Sequence, residues 1–166
     1  MNPPRIAEHL DAAAFAPYGD VIEVRAGVRQ FTINAGSTER YHDLARIAPG
    51  PDGHAIVSIF RAQPRELPFQ LQLMERHPLA SQAFMQLSGH PYLVVVAPPG
   101  PAPKPSDLRI FHARPDQGVN YAPGAWHHPL IALDAVSDFL VIDRSGPGHN
   151  CDEAPLQEPF LIDIRR

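Results

Sequence analysis

Short apolar runs, many alternating with polar residues and most closed off by turn residues, recur along the whole chain. They read "DVIEV" (20–24), "RQFTIN" (29–34), "AIVSIFR" (55–61), "QLQLMERH" (70–77), "QAFMQL" (82–87) and "YLVVVA" (92–97). The series continues with "LRIFHA" (108–113), "GVNY" (118–121), "WHHPLIAL" (126–133), "SDFLVIDR" (137–144) and "PFLIDI" (159–164). Such runs, rich in β-branched and aromatic residues, predict strands, and many short strands at fairly even spacing predict an all-β sandwich or barrel. "YLVVVA" is apolar throughout and predicts a strand buried on both faces. One early stretch, "AEHLDAAAF" (7–15), predicts a short N-terminal helix that ends at the Pro17-Tyr18-Gly19 turn.

Proline reinforces this reading. Twenty prolines in 166 residues exclude a helical bundle, because proline removes a backbone donor and is kept out of helix interiors and central strands. The stretch "PPGPAPKPSD" (98–107) predicts an extended surface loop. No internal repeat and no long linker divides the chain, so residues 1–166 are expected to form one domain. A chain of this length buries roughly 70% of its unfolded surface and needs no disulfide or structural metal to fold.

Charge and composition narrow the partners. With 44% apolar and 19% charged residues, the chain is expected to be globular. A net charge of −4 with acids and bases interspersed offers no basic face for nucleic acid. The longest apolar run is too short to span a bilayer. The first residues lack the apolar core of a signal peptide, and the single cysteine, Cys151, has no internal disulfide partner. A cytoplasmic, soluble protein is the expectation.

Alternation along "QLQLMERH" assigns Leu71, Leu73, Glu75 and His77 to one strand face and Gln70, Gln72, Met74 and Arg76 to the other. The first face would suit a barrel wall with a polar mouth. Further on, His77 stands five residues before Gln82, and Gln82 seven before Gly89. This spacing resembles the first motif of the cupins, small jelly-roll barrels, with Glu75 and His77 at its two histidine positions, Gln82 at its glutamate position and Gly89 at its closing glycine. The leading glycine is missing. "GVNYAPGAWH" resembles the second cupin motif through Gly124-x-x-His127, although Pro123 stands one place late. Imidazole nitrogen and carboxylate or amide oxygen suit a divalent first-row metal. Neighbouring strand residues face opposite ways, so spacing favours His127 inside, with Trp126 and His128 outside.

"PYGDVIE" (17–23), "RYHDLA" (40–45), "RAQP" (61–64), "ERHPLASQAF" (75–84), "QGVNY" (117–121), "WHHPL" (126–130), "DFLVIDR" (138–144) and "NCDE" (150–153) together resemble the ureidoglycolate lyases, formerly called ureidoglycolate hydrolases. The resemblance covers nearly the whole chain in order. It implies a cupin-like jelly-roll barrel, a homodimer, a role in allantoin and purine breakdown, and cleavage of ureidoglycolate to glyoxylate and urea. It also implies a divalent metal, often given as nickel (Ni2+).

That reaction needs a base, an acid and a cation for the substrate carboxylate. Motif position makes His77, Gln82 and His127 the expected metal ligands, with Glu75 as fourth ligand or general base. Arg61, Arg76 and Arg144 are candidates for gripping the carboxylate, since guanidinium binds it through two parallel hydrogen bonds. Alternation turns Arg76 away from Glu75 and His77, toward the surface or a partner chain. Asn34, Tyr41, His42, Asn120 and Tyr121 are candidate hydrogen-bonding residues, whereas His9, His54, His90, His112 and His149 lie outside the motifs. Two other readings stay open: another metal-dependent cupin enzyme acting on a small hydroxy acid, and a non-enzymatic cupin that binds a small acid.

Overall fold

The computed structural model describes residues 3–165. In chain order its strands are β1 (Arg5–Ile6), β2 (Glu8–His9), β3 (Gly19–Ile22), β4 (Gln30–Ile33), β5 (Thr38–Tyr41), β6 (His54–Ala62), β7 (Phe69–Arg76) and β8 (Gln82–Gln86). They continue as β9 (Tyr92–Ala97), β10 (Arg109–Ala113), β11 (Gly118–Tyr121), β12 (Trp126–His127), β13 (Ile131–Ala132), β14 (Ser137–Ser145) and β15 (Asp152–Asp163). One sheet runs β1-β15-β7-β12-β9-β10-β2, with β13 also on β9; a second runs β3-β11-β8-β14-β6. They build the all-β, jelly-roll barrel that the strand pattern predicts. Strands β4 and β5 pair only with each other.

Two apolar clusters account for the fold's cohesion. Phe84, Val119, Phe139 and Val141 of the second sheet meet Tyr92, Val94, Val96 and Phe111 of the first. The odd-numbered residues of β9 (Leu93, Val95 and Ala97) enter a second cluster with Leu71, Met74, Trp126 and Ile162. β9 is therefore buried on both faces, as its unbroken apolar run predicts. Burial of a large aliphatic or aromatic side chain stabilises by about 1.5–3 kcal/mol, so these two layers dominate the energetics.

The helix is shorter than expected. Only Ala12–Phe15 (α1) is helical, because the Asp11 carboxylate accepts hydrogen bonds from the Ala13 and Ala14 amides and caps the helix there. Upstream, Glu8 and His9 pair in parallel with Phe111 and His112 as a strand instead. The predicted strand 126–133 is split. Trp126 and His127 pair with Ala97 and Val96, but Ile131 and Ala132 pair with Leu93 and Tyr92, one residue out of step. Pro129 lies in the interruption, where its missing amide cannot serve a ladder.

Strict alternation along β7 also fails. Leu71 and Met74 pack into the same cluster, while the partner strand β15 shifts register between Pro155 and Phe160. From Met74 onward the alternation resumes, and it is this end that carries Glu75.

Candidate active site

Glu75 on β7 is directly opposite His127 on β12, and Trp126, the preceding residue, points into the apolar cluster on the other side. The sequence folds this way because Gly124 takes a left-handed backbone (φ 78°) that side chains disfavour, and its amide donates to the His77 carbonyl at 2.8 Å. The turn thus ties the start of β12 to the end of β7. On the outer side the Arg76 guanidinium lies 4.6 Å from the Trp126 ring centroid. It also donates to Asp152 (2.7 Å) and to the Gly100 carbonyl (2.6 Å). Trp126 Nε1 donates to the same carbonyl at 3.1 Å, so this network clamps the strand from behind.

Inside, five side chains converge. His127 Nε2 lies 3.4 Å from a Glu75 carboxylate oxygen, and the His77 and His127 rings are 5.1 Å apart. His77 Nε2 lies 3.1 Å from Gln82 Oε1. Tyr121, on β11 of the opposite sheet and paired there with Gln82, stacks on His127. Ligand atoms of Glu75, His77 and His127 all fall within 4.8 Å of one another.

The tautomers follow from the carbonyls behind the rings. His77 Nδ1 lies 2.6 Å from the Asn150 carbonyl and His127 Nδ1 lies 3.1 Å from the Ala125 carbonyl. A carbonyl only accepts, so each Nδ1 carries a proton, and each ring turns its Nε2 inward, His77 toward Gln82 Oε1 and His127 toward Glu75. His127 Nε2 is buried without a hydrogen-bond partner. Two imidazole nitrogens, a carboxylate and an amide oxygen thus converge on one point. This donor set fits a divalent first-row metal, and the backbone carbonyls orient its ligands from behind.

Burial pushes the His127 pKa below the ordinary imidazole value, and the proximity of His77 adds to this against the opposing pull of Glu75. Burial alone would raise the pKa of Glu75. Its contact with His127, helped by His77 and His128, outweighs that and holds the carboxyl below its usual range. A neutral imidazole beside an ionised carboxylate is the resting state. Tyr121 is pushed far up by burial and then by the Glu75 charge, so its hydroxyl keeps its proton.

Two openings reach this cluster. A cavity of about 550 Å³ is lined by Glu75, Gln82, Phe84, Arg61, Arg65 and Leu130. A smaller one of about 400 Å³ is lined by His77, Gln82, Asp143, Arg144, Asn150 and Cys151. Gln82 borders both.

Of the residues singled out in the sequence, Glu75, His77, Gln82, Tyr121 and His127 come together. Arg61 reaches the mouth of the larger cavity but is held bidentately by Asp138 at 2.8 and 2.9 Å. Arg144 borders the smaller cavity, and its guanidinium is spent on the carbonyls of Pro49 and Pro147. Asn120 is buried, donating to Asp20 and to the Arg46 carbonyl. Asn34 and His42 belong to the β4–β5 hairpin and its base, away from the cluster. Arg76 and His128 stand outside it, His128 edge-on to Phe69.

Sequence reading passed over three features. Arg65 enters the cavity lining from a loop, with no periodicity to announce it. The Asn150 carbonyl that orients His77 is a backbone atom, invisible in a residue pattern. Cys151 and Glu153 approach Glu75 from β15 and its lead-in, their ligand atoms within 4.8 Å; the run "NCDE" was the one available signal.

Comparison with known proteins identifies the family. A family model described as ureidoglycolate lyase matches residues 5–163. A ureidoglycolate lyase from Burkholderia cepacia is 57% identical over 159 residues, covering 95% of this chain and 89% of that protein. One from Azotobacter vinelandii is 55% identical over 147 residues, covering 88% of each. A solved dTDP sugar isomerase from Desulfovibrio desulfuricans G20 covers 85% of this chain and 87% of its own at 17% identity, with a TM-score of 0.47. The chain belongs to the ureidoglycolate lyase family.

Proposed function

We infer that this protein is a ureidoglycolate lyase, cleaving ureidoglycolate to glyoxylate and urea in purine breakdown, with the whole chain as one catalytic domain. Family membership supports the reaction. The observation that carries the site is the Glu75–His127 pair beside His77 and Gln82, with Glu75 and Gln82 lining the larger cavity. No helix among the described residues is long and apolar enough to cross a membrane, and we take the setting to be the cytoplasm.

The substrate is a hemiaminal whose central carbon bears a hydroxyl, a carboxylate and a urea nitrogen. Loss of the hydroxyl proton forms the C=O bond of glyoxylate as the C–N bond breaks, and the departing nitrogen takes up one proton. Proton count is conserved, so a single carboxylate can serve both ends. Glu75, held ionised by the imidazoles around it, takes the hydroxyl proton and returns it to the nitrogen. General acid–base help of this kind is worth about 10²–10⁴-fold. His77, His127 and Gln82 would hold the divalent ion, nickel on the family resemblance. When bound, it supplies Lewis-acid polarisation that lowers the hydroxyl pKa. Tyr121 and the Ala125 and Asn150 carbonyls keep the two rings in register. Arg61 and Arg65 at the cavity mouth draw in the anionic substrate. A homodimer is the proposed working unit, supported by the exposed apolar Val57 and Ile59 on β6.

Glyoxylate trapped with phenylhydrazine, against a heat-inactivated control because the substrate decays unaided, tests the activity. Turnover well above the control is expected. Glu75→Gln should lower kcat by about 10²-fold or more while retaining bound metal by elemental analysis. Binding without turnover would turn the reading toward a non-enzymatic acid binder.

A further inference from the structure

The hairpin of β4 and β5 is an arm without a dock. Its strands pair with each other from Gln30↔Tyr41 to Ile33↔Thr38 and join neither barrel sheet. A lone two-stranded hairpin is at best marginally stable in water. Its two faces are sharply sorted. One face ties up its acid: Glu39 accepts from Gln30 at 3.0 Å and from Thr32. The other face carries Phe31, Ile33 and Arg40, since Phe31 lies opposite Arg40. Phe31 and Ile33 are each 37% exposed, and Arg29 stacks on the Phe31 ring at 4.7 Å. Arg40 is exposed and has no side-chain hydrogen bond or ion pair among the described residues. This face is apolar and cationic, with no acid in it.

A complementary surface lies on the barrel. Strand β6 is the free edge of its sheet, and alternation turns Val57, Ile59 and Arg61 outward; Phe60 turns in toward Phe84. Val57 is 67% and Ile59 55% exposed, and they pair with Ile142 and Leu140 on β14. This apolar strip ends at Arg61 and Asp138, on the rim of the cavity that contains Glu75. Apolar side chains would meet apolar side chains, and the unpaired cation would meet a rim with carboxylates and a cavity for an anion. Both patches occur on one chain, so a two-fold pair of copies satisfies each twice, as an isologous interface requires.

We propose that the arm docks in trans. In a dimer, the hairpin of one copy lies on the β6–β14 face of the other and sets its Arg40 at the mouth of that copy's cavity, where it grips the substrate carboxylate. Each site is then incomplete without the second chain. This assignment rests on the lyase reading and on Glu75 as its base. It also gives the arm's Asn34 and His42 a route to the substrate that a single chain does not offer. Arg61 cannot serve equally, because Asp138 already occupies its fork.

Complementation tests it. Arg40→Ala should raise KM about 10–100-fold, the usual loss for a charge-assisted bond. Glu75→Gln should be inactive alone. Co-expressed with distinct tags, the two variants form mixed dimers with one intact site, and at substrate well below the Arg40→Ala KM the preparation should recover about a quarter of wild-type turnover. Arg65→Ala with Glu75→Gln, both in the same cavity wall, should gain nothing beyond the residual activity of Arg65→Ala itself. An Arg40→Ala variant with unchanged KM, or a mixture with no recovery, overturns the proposal. Phe31→Ser with Ile33→Ser should give a monomer by sedimentation; a variant that stays dimeric, or a monomeric wild type, overturns it as well. A Glu75→Gln enzyme that keeps its activity defeats the lyase base assignment instead, and the sedimentation result still decides the arm.

Discussion

Tyr121 lies flat against His127, with ring centroids 4.1 Å apart and planes within 8° of parallel. The stack fixes the imidazole plane from one side while the Ala125 carbonyl holds its Nδ1 edge. Nε2 has one remaining direction, toward Glu75. Tyr121 comes from the opposite sheet, so the barrel's closure itself sets the imidazole's aim.

A residue that orients a ligand from behind acts on metal affinity. Tyr121→Leu keeps apolar bulk but loses the flat face, and it should weaken metal binding and lower kcat about 10–100-fold. Tyr121→Phe keeps the stack and should keep both. Calorimetric metal titration beside the glyoxylate assay reads the two effects, and equal affinities in the two variants would remove the stack from the mechanism.

Gly124 couples backbone strain to the site. Nothing blocks a side chain there beyond an ordinary 3.7 Å contact with Pro99, so the cost of Gly124→Ala is conformational, about 1–2 kcal/mol. Its amide bonds the His77 carbonyl, so part of that strain reaches the imidazole. Urea unfolding should show the loss with a cooperative transition, and turnover of the folded variant should fall too.

The barrel was legible because its long strands carry their own signal. "YLVVVA" announces two-sided burial, and "SDFLVIDR" alternates as a half-buried strand should. The convergence of His77 and His127 followed from two degenerate spacings and the rule that neighbours in a strand face apart. Less was readable where tertiary pairing decides. The strands Arg5–Ile6 and Glu8–His9 exist because β15 and β10 offer edges, and two residues have no period. The first half of β15, "DEAPLQEP", offers only Ala154 and Leu156 to the core, amid two prolines and three acids, and its pairing with β7 breaks register after Pro155. Candidates such as Asn120 and Arg144 matched the chemistry, but residue type does not say which way a side chain turns.

The clamp behind β12 depends on a planar cation. Arg76 stacks on Trp126 while donating in two directions, to Asp152 and to Gly100. Lysine keeps the charge and loses both the stacking plane and the fork. Arg76→Lys should cost about 1–2 kcal/mol of stability, as expected for a partly desolvated cation–π contact with its hydrogen bonds. Since Arg76 faces away from the cluster, KM should stay near wild type. A KM shift without a stability loss would mean that Arg76 reaches the substrate after all.

Acid sensitivity should have a source far from the catalytic cluster. His112 on β10 lies beside His9 on β2, ring centroids 6.5 Å apart, in a recess shared with Glu8 and Arg165. Its Nε2 is buried without a partner. Burial lowers its pKa first, the His9 charge lowers it further, and Asp134 opposes them only in part. In the unfolded chain this imidazole takes a proton near pH ~6.5, whereas in the folded chain it resists. As pH falls through that value the unfolded state binds more protons, so stability drops and levels off only below the folded pKa. Urea midpoints for the wild type should therefore fall between about pH 7.5 and pH 5, and His112→Gln should flatten that decline. The two curves should coincide near neutral pH and separate at the acid end, where the variant is the more stable, because the substitution removes a penalty that exists only where the ring is asked to charge. Parallel curves across the range would assign the acid loss to other groups.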